Sequence, residues 1–151
     1  MTIRKATVKD LKSIKELYWE LDSVAINLKP EDFKHKERSD EHLIEIINSD
    51  KSDFLVAMIS KKVAGFSLIY ERELDSDKNP HKYAYIQDFV VKKEYRRRGV
   101  GARLMDVSKV WAKNRNALEL RLSIMPENEN ARRFYTKHGL IMQTVIMECN
   151  L

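Results

Sequence analysis

A stretch that combines two glycines with three consecutive arginines has the composition of an anion-binding loop. It reads Tyr95-Arg96-Arg97-Arg98-Gly99-Val100-Gly101-Ala102. Glycine has no Cβ, so the backbone can approach a ligand closely and direct its N–H groups at it. The three arginines raise the local positive potential. These residue types at this spacing indicate a loop that binds phosphate or pyrophosphate.

The segments on either side of this loop must position it. Residues Tyr83–Val91 are rich in aromatic and β-branched side chains, as a strand requires. In the following segment, Ala102–Arg115, the spacing of Leu104, Val107 and Trp111 places them on one face of a helix. The first N–H groups of a helix have no partner within it, and the helix dipole favours an anion there. The sequence therefore predicts a pyrophosphate site at a strand-to-helix turn.

Two familiar phosphate loops do not fit this stretch. A P-loop requires Gly-Lys-Ser/Thr, whereas Gly101 is followed by Ala102 and Arg103. A dinucleotide fingerprint requires glycine or alanine three residues after the second glycine, and Leu104 stands there. Neither a nucleoside triphosphate nor a dinucleotide is therefore the expected ligand.

The remaining pattern, Arg-x-x-Gly-x-Gly, resembles the acetyl-CoA loop of the GNAT superfamily of acyl-CoA N-acyltransferases. The opening segment Ile3–Asp10 also resembles that family's first strand and helix start. A third stretch resembles the family's helix pattern Asn-x-x-Ala-x-x-(aromatic or Leu)-Tyr-x-x-x-Gly-Phe. It reads Asn128-Glu129-Asn130-Ala131-Arg132-Arg133-Phe134-Tyr135-Thr136-Lys137-His138-Gly139-Leu140, with Leu140 in place of the final Phe. The resemblance spans essentially the whole chain.

The resemblance implies one domain over residues 1–151 with an α+β, three-layer fold. A mixed, mostly antiparallel sheet of about six or seven strands would lie between about four helices, with strands 4 and 5 splayed apart. Two strands usually follow the last helix in this family, but only the short segment after Gly139 remains here. The acceptor groove is therefore expected to be open on that side or completed by a second subunit in a homodimer.

Patterning predicts the other elements. Thr7-x-x-Asp10 resembles a capping box before a helix, and Asp40 is the expected cap of a second helix. The predicted strands are Thr2–Ala6, Phe54–Ile59, Val63–Tyr70, Tyr83–Val91 and Leu118–Ile124. Loops are expected at Asn27–Arg38 and, as a solvated acidic run, at Glu71–Asp77. Ile141–Leu151 is expected to be extended.

The resemblance also implies which residues hold acetyl-CoA. The backbone of Phe89, Val90 and Val91 would hydrogen-bond to pantetheine in the gap between the splayed strands. Asn128 would meet the pantetheine arm, cap its helix, or do both. The diphosphate would be bound by the loop itself, formed by Arg96, Arg97, Arg98, Gly99, Val100, Gly101 and Ala102.

Tyr135 occupies the position of the family's general acid. With a reference pKa of about 10, against about 8.5 for a thiol, a tyrosine is protonated at neutral pH and can donate to a departing thiolate. Packing is the usual role of a tyrosine on a helix. The motif favours the acid role for this one.

The general base is harder to assign. Diamine and polyamine acetyltransferases of this family carry Tyr-(Leu/Ile)-Glu-Asp-Phe where this chain has Tyr85-Ile86-Gln87-Asp88-Phe89. Gln87 cannot accept a proton as the glutamate would. Strict strand alternation places Asp88 on the face opposite Gln87. A water chain that ends at Asp88 or at a backbone carbonyl would then serve as the base.

Substrate contacts are expected on two sides of the groove. The match to the diamine-acetyltransferase wording places Tyr85 and Gln87 next to the acceptor amine. The first loop and helix pair form one wall of the groove in the resembling family. Phe33 and Tyr18 are therefore candidate contacts, with packing in the core as their alternative role.

Composition narrows the remaining possibilities. No apolar run approaches the ~20 residues of a membrane helix, so no membrane association is expected. The only cysteine, Cys149, cannot form an internal disulfide, which favours a reducing, cytoplasmic location. The four histidines are scattered, so no metal is expected: His35, His42, His81 and His138.

The charge distribution permits a second interpretation. The net charge is +5, and it is concentrated in the half of the chain that carries the phosphate loop. A basic surface of this kind is also typical of nucleic-acid binding through Arg96–Arg98. Because CoA is a polyanion, the small-ligand explanation is preferred, and no nucleic-acid partner is expected.

The leading hypothesis is an acetyl-CoA-dependent N-acetyltransferase that acts directly on a primary amine, with a lean towards a polyamine-like small molecule. One alternative is acetylation of a protein N-terminus or lysine. Another, motivated by Gln87, is a non-catalytic module that senses acetyl-CoA.

Overall fold

The computed structural model describes the whole chain, Met1–Leu151. It has four α-helices, five strands and two short 3-10 turns, at Val8–Asp10 and Lys93–Tyr95. In chain order the elements are β1 (Thr2–Lys5), α1 (Leu11–Leu28), α2 (Asp40–Asn48), β2 (Ser52–Ile59), β3 (Lys62–Leu74), β4 (His81–Val91), α3 (Val100–Asn114), β5 (Glu119–Leu122) and α4 (Glu129–Lys137). None of the helices combines the length and apolar character that a membrane span needs.

Local caps precede the first two helices: a capping box starts the 3-10 turn Val8–Asp10 that leads into α1, and a serine caps α2. The predicted capping box is present, because the Asp10 carboxylate accepts a hydrogen bond from the Thr7 N–H at 2.8 Å. The cap of α2 is Ser39, whose hydroxyl accepts from the His42 N–H at 3.2 Å. The prediction of Asp40 as this cap was wrong. Ser39 has the extended backbone of a cap, whereas Asp40 is already helical.

The sheet has the order β1-β2-β3-β4-β5, with every pair antiparallel except the parallel pair β4 and β5. This confirms the mixed, mostly antiparallel sheet. The structure has five strands, fewer than the six or seven expected, because residues 141–151 form none. Their apolar side chains are exposed, and Ile146 and Met147 each retain 90% of their accessible surface.

Two cores on opposite faces of the sheet produce the three-layer arrangement. The first packs α1 and α2 against the sheet, through residues such as Leu17, Leu43 and Phe66. The second packs α3 against the other face, through residues such as Leu104 and Ile69, with α4 contributing at its margin. Burying both faces stabilises the sheet from both sides and holds β4, between β3 and β5, in a fixed position.

Strand β3 is longer than the sequence indicated. It pairs with β4 as far as Leu74 opposite His81, so Glu71–Leu74 are strand and not the predicted acidic loop. The Glu71 carboxylate is nearly buried and pairs with Lys51 at 2.7 Å. Cross-strand pairing and this ion pair outweigh the preference of charged residues for a loop. The extension carries Arg72 into the sheet.

Candidate active site

The predicted phosphate loop joins β4 to α3. Gly99 caps the helix with φ = 79°, in the left-handed region that glycine tolerates best. The helix begins at Val100, two residues before the predicted start at Ala102. The first N–H with an intrahelical acceptor belongs to Arg103, which donates to the Gly99 carbonyl at 3.0 Å. The N–H groups of Val100, Gly101 and Ala102 are therefore available to an anion.

Close packing fixes this helix start against α4. A Cβ built on Gly101 would lie 3.2 Å from Cε2 and 3.3 Å from Cζ of Phe134. It would also lie 3.7 Å from Cγ2 of Val91. Glycine at this position therefore allows the first turn of α3 to approach the aromatic side chain of α4.

The three arginines of the loop have different surroundings. Arg96 Nε donates to the Val91 carbonyl at 2.8 Å, and its guanidinium lies 3.5 Å from a Glu20 carboxylate oxygen. It therefore braces the loop against α1. Arg97 and Arg98 are exposed and pair with no carboxylate, so their charges are available to a ligand.

The strands β4 and β5 separate halfway along β4. Their pairing runs only from Tyr83 opposite Glu119 to Ile86 opposite Leu122. Residues 87–91 of β4 therefore have no strand neighbour on this side. Apart from the Val91 carbonyl, which accepts from Arg96, their edge is free to hydrogen-bond to an extended ligand. This is the splay expected from the sequence.

A β-bulge lies where the strands separate. Asp88 pairs with Leu68 and Ile86 pairs with Ile69, which leaves Gln87 as the extra residue. The strict alternation used in the sequence analysis was therefore wrong at this point. Beyond the bulge, Phe89 packs in the second core, as Ile86 does, while Asp88 and Val90 face the first.

Asp88 meets α1 in that first core. The Tyr18 hydroxyl donates to Asp88 Oδ2 at 2.8 Å. Burial raises the pKa of Asp88 above its usual value, and the hydrogen bond from Tyr18 and the charges of Arg38 and Lys36 oppose the rise. A partly buried carboxylate with a raised pKa has the character of a general base.

Tyr18 is itself held in place by Arg38. The Arg38 guanidinium lies 4.1 Å from the centre of the Tyr18 ring and forms two hydrogen bonds to Asp22. Burial, together with the nearby Asp88 charge, raises the pKa of Tyr18. Tyr18 therefore stays protonated and acts as a fixed donor to Asp88.

Tyr135 lies on α4 beside the free edge of β4. Its ring contacts those of Phe89 and Phe134, with centroid separations of 6.0 Å and 5.3 Å. Burial raises the pKa of Tyr135, and its hydroxyl forms no hydrogen bond within the protein. The group is therefore protonated and free to donate. Asn128 caps α4, since its Oδ1 accepts from the Ala131 N–H at 3.1 Å.

The other residues predicted to contact the acceptor lie in two places, on β4 and in the loop before α2. Tyr85 lies in β4 with its hydroxyl 3.0 Å from Ser123 Oγ, and Gln87 is exposed at the bulge. Phe33 is 43% exposed and lies in the loop before α2. It does not line the cavity of about 270 Å³ that Tyr18, Trp19 and His35 border there.

The sequence profile of the acetyltransferase (GNAT) family matches residues 11–140, which include the free edge, the phosphate loop and α4. The chain belongs to that family. This GNAT chain is therefore an acyltransferase, and the predicted family and fold are confirmed.

Two relatives are similar in sequence. An uncharacterised N-acetyltransferase of Archaeoglobus fulgidus is 28% identical over 149 residues, covering 93% of this chain and 92% of that protein. Streptothricin acetyltransferase A of Bacillus subtilis is 39% identical over 67 residues. That match covers 44% of this chain and only 39% of the relative.

Solved structures share the fold. A mutant of the BH1408 protein from Bacillus halodurans superposes with a TM-score of 0.93 at 23% identity, over 100% of this chain and 99% of that one. The aminoglycoside N-acetyltransferase AAC(6′)-Iy, solved in complex with CoA, gives 0.75 at 19% identity, over 99% of both chains. At these identities the likeness concerns the fold alone.

Sequence reasoning missed two residues of the site. Tyr18 was noted only as a possible wall residue, and nothing in the chain signals that it reaches Asp88, 70 residues away. Arg72 was hidden in the supposed acidic loop, although its guanidinium lies 4.3 Å from the centre of the Tyr85 ring. An alternating pattern extended from Tyr70 to Leu74 could have placed Arg72 in a strand.

Proposed function

We propose that this GNAT protein is an acetyl-CoA-dependent N-acetyltransferase whose acceptor is the primary amine of a small molecule. One observation carries the proposal: the free edge of β4 runs from an anion-binding helix start to a pair of proton-transfer groups, Asp88 and Tyr135. An extended thioester with a diphosphate at its far end matches that arrangement in chemistry.

The chain would hold acetyl-CoA through its backbone. The N–H groups of Val100, Gly101 and Ala102 would bind the diphosphate, with Arg97 and Arg98 adding charge. The free edge at Phe89, Val90 and Val91 would pair with pantetheine, and one N–H there would stabilise the developing negative charge on the thioester oxygen. Arg96 would position the loop, as its bond to Val91 indicates. Bound acetyl-CoA would supply the acetyl group.

Two side chains would move the protons. The amine nitrogen forms a bond to the acetyl carbon as the carbon–sulfur bond breaks. Asp88, directly or through one water, would accept the proton that the amine loses, and Tyr135 would donate one to the departing sulfur. An amine of pKa about 10 is only about one part in a thousand neutral at pH 7, so a base is needed. Asp88 supplies the group that Gln87 cannot.

The acceptor class draws support from the relatives. Streptothricin acetyltransferase A and the aminoglycoside N-acetyltransferase are named for small molecules. A polyamine-like acceptor stays a prediction, as do a protein acceptor, a homodimer that completes the groove and a cytoplasmic location. Gln87 in place of an acid keeps the sensor alternative open to test.

Calorimetry with acetyl-CoA tests the binding half of the proposal. We expect the double variant Arg97→Ala/Arg98→Ala to weaken binding about tenfold or more, with a reduced dependence on salt. The matched control is Arg132→Ala/Arg133→Ala, a second adjacent pair that is exposed but already paired with Glu129. Equal losses in both variants would contradict a site at the phosphate loop.

Release of free thiol across a panel of primary amines tests the catalytic half. Turnover with at least one small amine supports the proposal. Binding of acetyl-CoA without turnover on any amine or peptide would instead indicate a non-catalytic module.

A further inference from the structure

The arginines of this chain separate into two groups by their ion pairs. Most have a carboxylate within 4.0 Å: Arg4, Arg38, Arg96, Arg115, Arg121, Arg132 and Arg133. The others have none. Arg97, Arg98 and Arg103 belong to the phosphate loop and the first turn of α3, where the polyanion is expected. The remaining one is Arg72, near the other end of the free edge.

The guanidinium of Arg72 is nevertheless held in place. It lies 4.3 Å from the centre of the Tyr85 ring and 5.5 Å from that of Tyr70. One of its nitrogens donates to Gln87 Oε1 at 3.4 Å. These contacts involve two aromatic faces and one neutral amide, so they fix the position of the charge without neutralising it. Most of its five N–H donors stay available to a ligand.

Arg72 lies beside the residues that precede the proposed base in β4. Gln87, its hydrogen-bond partner, is the bulged residue and directly precedes Asp88. Tyr85 and Tyr70, whose rings contact its guanidinium, are paired opposite each other on β4 and β3. An amine whose nitrogen reaches Asp88 would therefore have the rest of its structure near Arg72.

The acids on β3, α1 and β4 near Arg72 have other partners or face away from it. Glu71 and Glu73 flank Arg72 in β3, and alternation turns them to the other face. Glu71 pairs with Lys51, and Asp22 pairs with Arg38. Asp88 is hydrogen-bonded to Tyr18 and is needed as the base. None of these acids pairs with Arg72, and Glu45, whose charge acts on the neighbouring Tyr70, also forms no ion pair with it.

We propose that Arg72 binds an anionic group on the acceptor, so that the acceptor is a small primary amine that also carries a carboxylate or a phosphate. This inference rests on the proposed acetyltransferase activity. The planar guanidinium matches the geometry of either anion with two parallel hydrogen bonds. A second ammonium at the same place would be repelled, which disfavours a polyamine.

Matched amines test this assignment. 4-Aminobutyrate, butylamine and 1,4-diaminobutane present similar chains that end in an anion, a methyl group and a cation. The pair β-alanine and 2-aminoethyl phosphate separates a carboxylate from a phosphate. The variant is Arg72→Gln. The control is Arg121→Gln, because Arg121 also lies over a tyrosine, at 4.8 Å from the Tyr83 ring centre, but is paired with Glu119.

We expect an anionic amine to be preferred about tenfold or more over butylamine, and the diamine to be the poorest of the three. Arg72→Gln should raise the KM of the anionic amine about tenfold to a hundredfold. It should leave kcat, the KM of acetyl-CoA and the KM of butylamine unchanged, and Arg121→Gln should change none of them. Equal effects of Arg72→Gln on all three amines, or wild-type preference for the diamine, would overturn the assignment.

The affinity of the CoA complex for the same amines, measured by calorimetry, separates this inference from the acetyltransferase activity on which it rests. If no amine is acetylated but anionic amines bind and Arg72→Gln abolishes their binding, the catalytic proposal fails and the role of Arg72 stands. If neither turnover nor Arg72-dependent binding is found, both fail.

Discussion

The two ends of the free β4 edge, the proposed phosphate end and the proposed acceptor end, are built in different ways. The phosphate end comes from one continuous stretch, residues 95–102, and offers mainly backbone N–H groups at the start of α3. The acceptor end is assembled from three elements: Tyr18 on α1, Arg72 on β3 and Asp88 on β4. The first depends on local backbone conformation. The second depends on how distant elements pack.

Because of this difference, one end would determine cofactor binding and the other acceptor selectivity. A diphosphate bound by backbone groups needs a helix start and a close backbone approach, so its site depends little on the surrounding side chains. Under the proposal, acceptor choice would depend on side chains such as Arg72, which can change without disturbing the phosphate end. Mutations at the two ends should therefore affect different kinetic constants.

The largest expected effect is at the acceptor end. Asp88→Asn removes the proposed base and should lower kcat about a thousandfold, with the KM of acetyl-CoA unchanged. The fold disfavours the charged form of Asp88, as its raised pKa shows, so the neutral amide should not lower the Tm. Steady-state thiol release and a thermal melt measure both. A Tm drop of several degrees would mean that Asp88 is mainly structural.

Tyr135→Phe should lower kcat about a hundredfold, because the departing thiolate loses its proton donor. The Tyr135 hydroxyl has no partner in the protein, so the Tm should stay the same. A rate equal to that of the wild type would assign the proton to solvent. Such a result would remove Tyr135 from the chemistry.

Gly101→Val tests the phosphate end. A side chain there would press on Phe134, and overpacking of this kind costs about 1–3 kcal/mol. We expect the KM of acetyl-CoA to rise about tenfold, with the pH profile unchanged. Gly139→Ala is the control. Alanine there would be strained because Gly139 has φ = 89°, but this residue lies at the far end of α4, so the substitution should lower stability only. A changed pH profile in Gly101→Val would show that the two ends are coupled.

The smallest effect is expected from Tyr18→Phe. Asp88 must be ionised to accept a proton, so kcat/KM should increase as pH rises through the pKa of Asp88. The Tyr18 hydrogen bond lowers that pKa, and removing it should move the profile to higher pH with the same plateau. A profile that does not move, or moves to lower pH, would contradict a role for Tyr18 in tuning the base.

Prediction from sequence was most accurate where neighbouring residues decide the structure. Asn128 was a predicted helix cap, and the Thr7–Asp10 box precedes α1, because both depend on hydrogen bonds within a few residues. The predicted cap of α2 was wrong by one residue, because the cap is Ser39 and not Asp40. The sheet of five strands, where the resemblance implied six or seven, and the longer β3 reflect pairing between segments, which local propensity does not report.

The sequence by itself determined the family, the phosphate loop and the identity of Tyr135 as the proposed acid, because each is written in adjacent residues with fixed spacing. Only the tertiary structure decided which face Asp88 occupies and which side chain it meets. The bulge at Gln87 changes which face each later side chain of β4 occupies, and α1 then brings Tyr18 to the carboxylate. A bulge and a contact across 70 residues arise from packing, and the order of residues along the chain does not encode them locally.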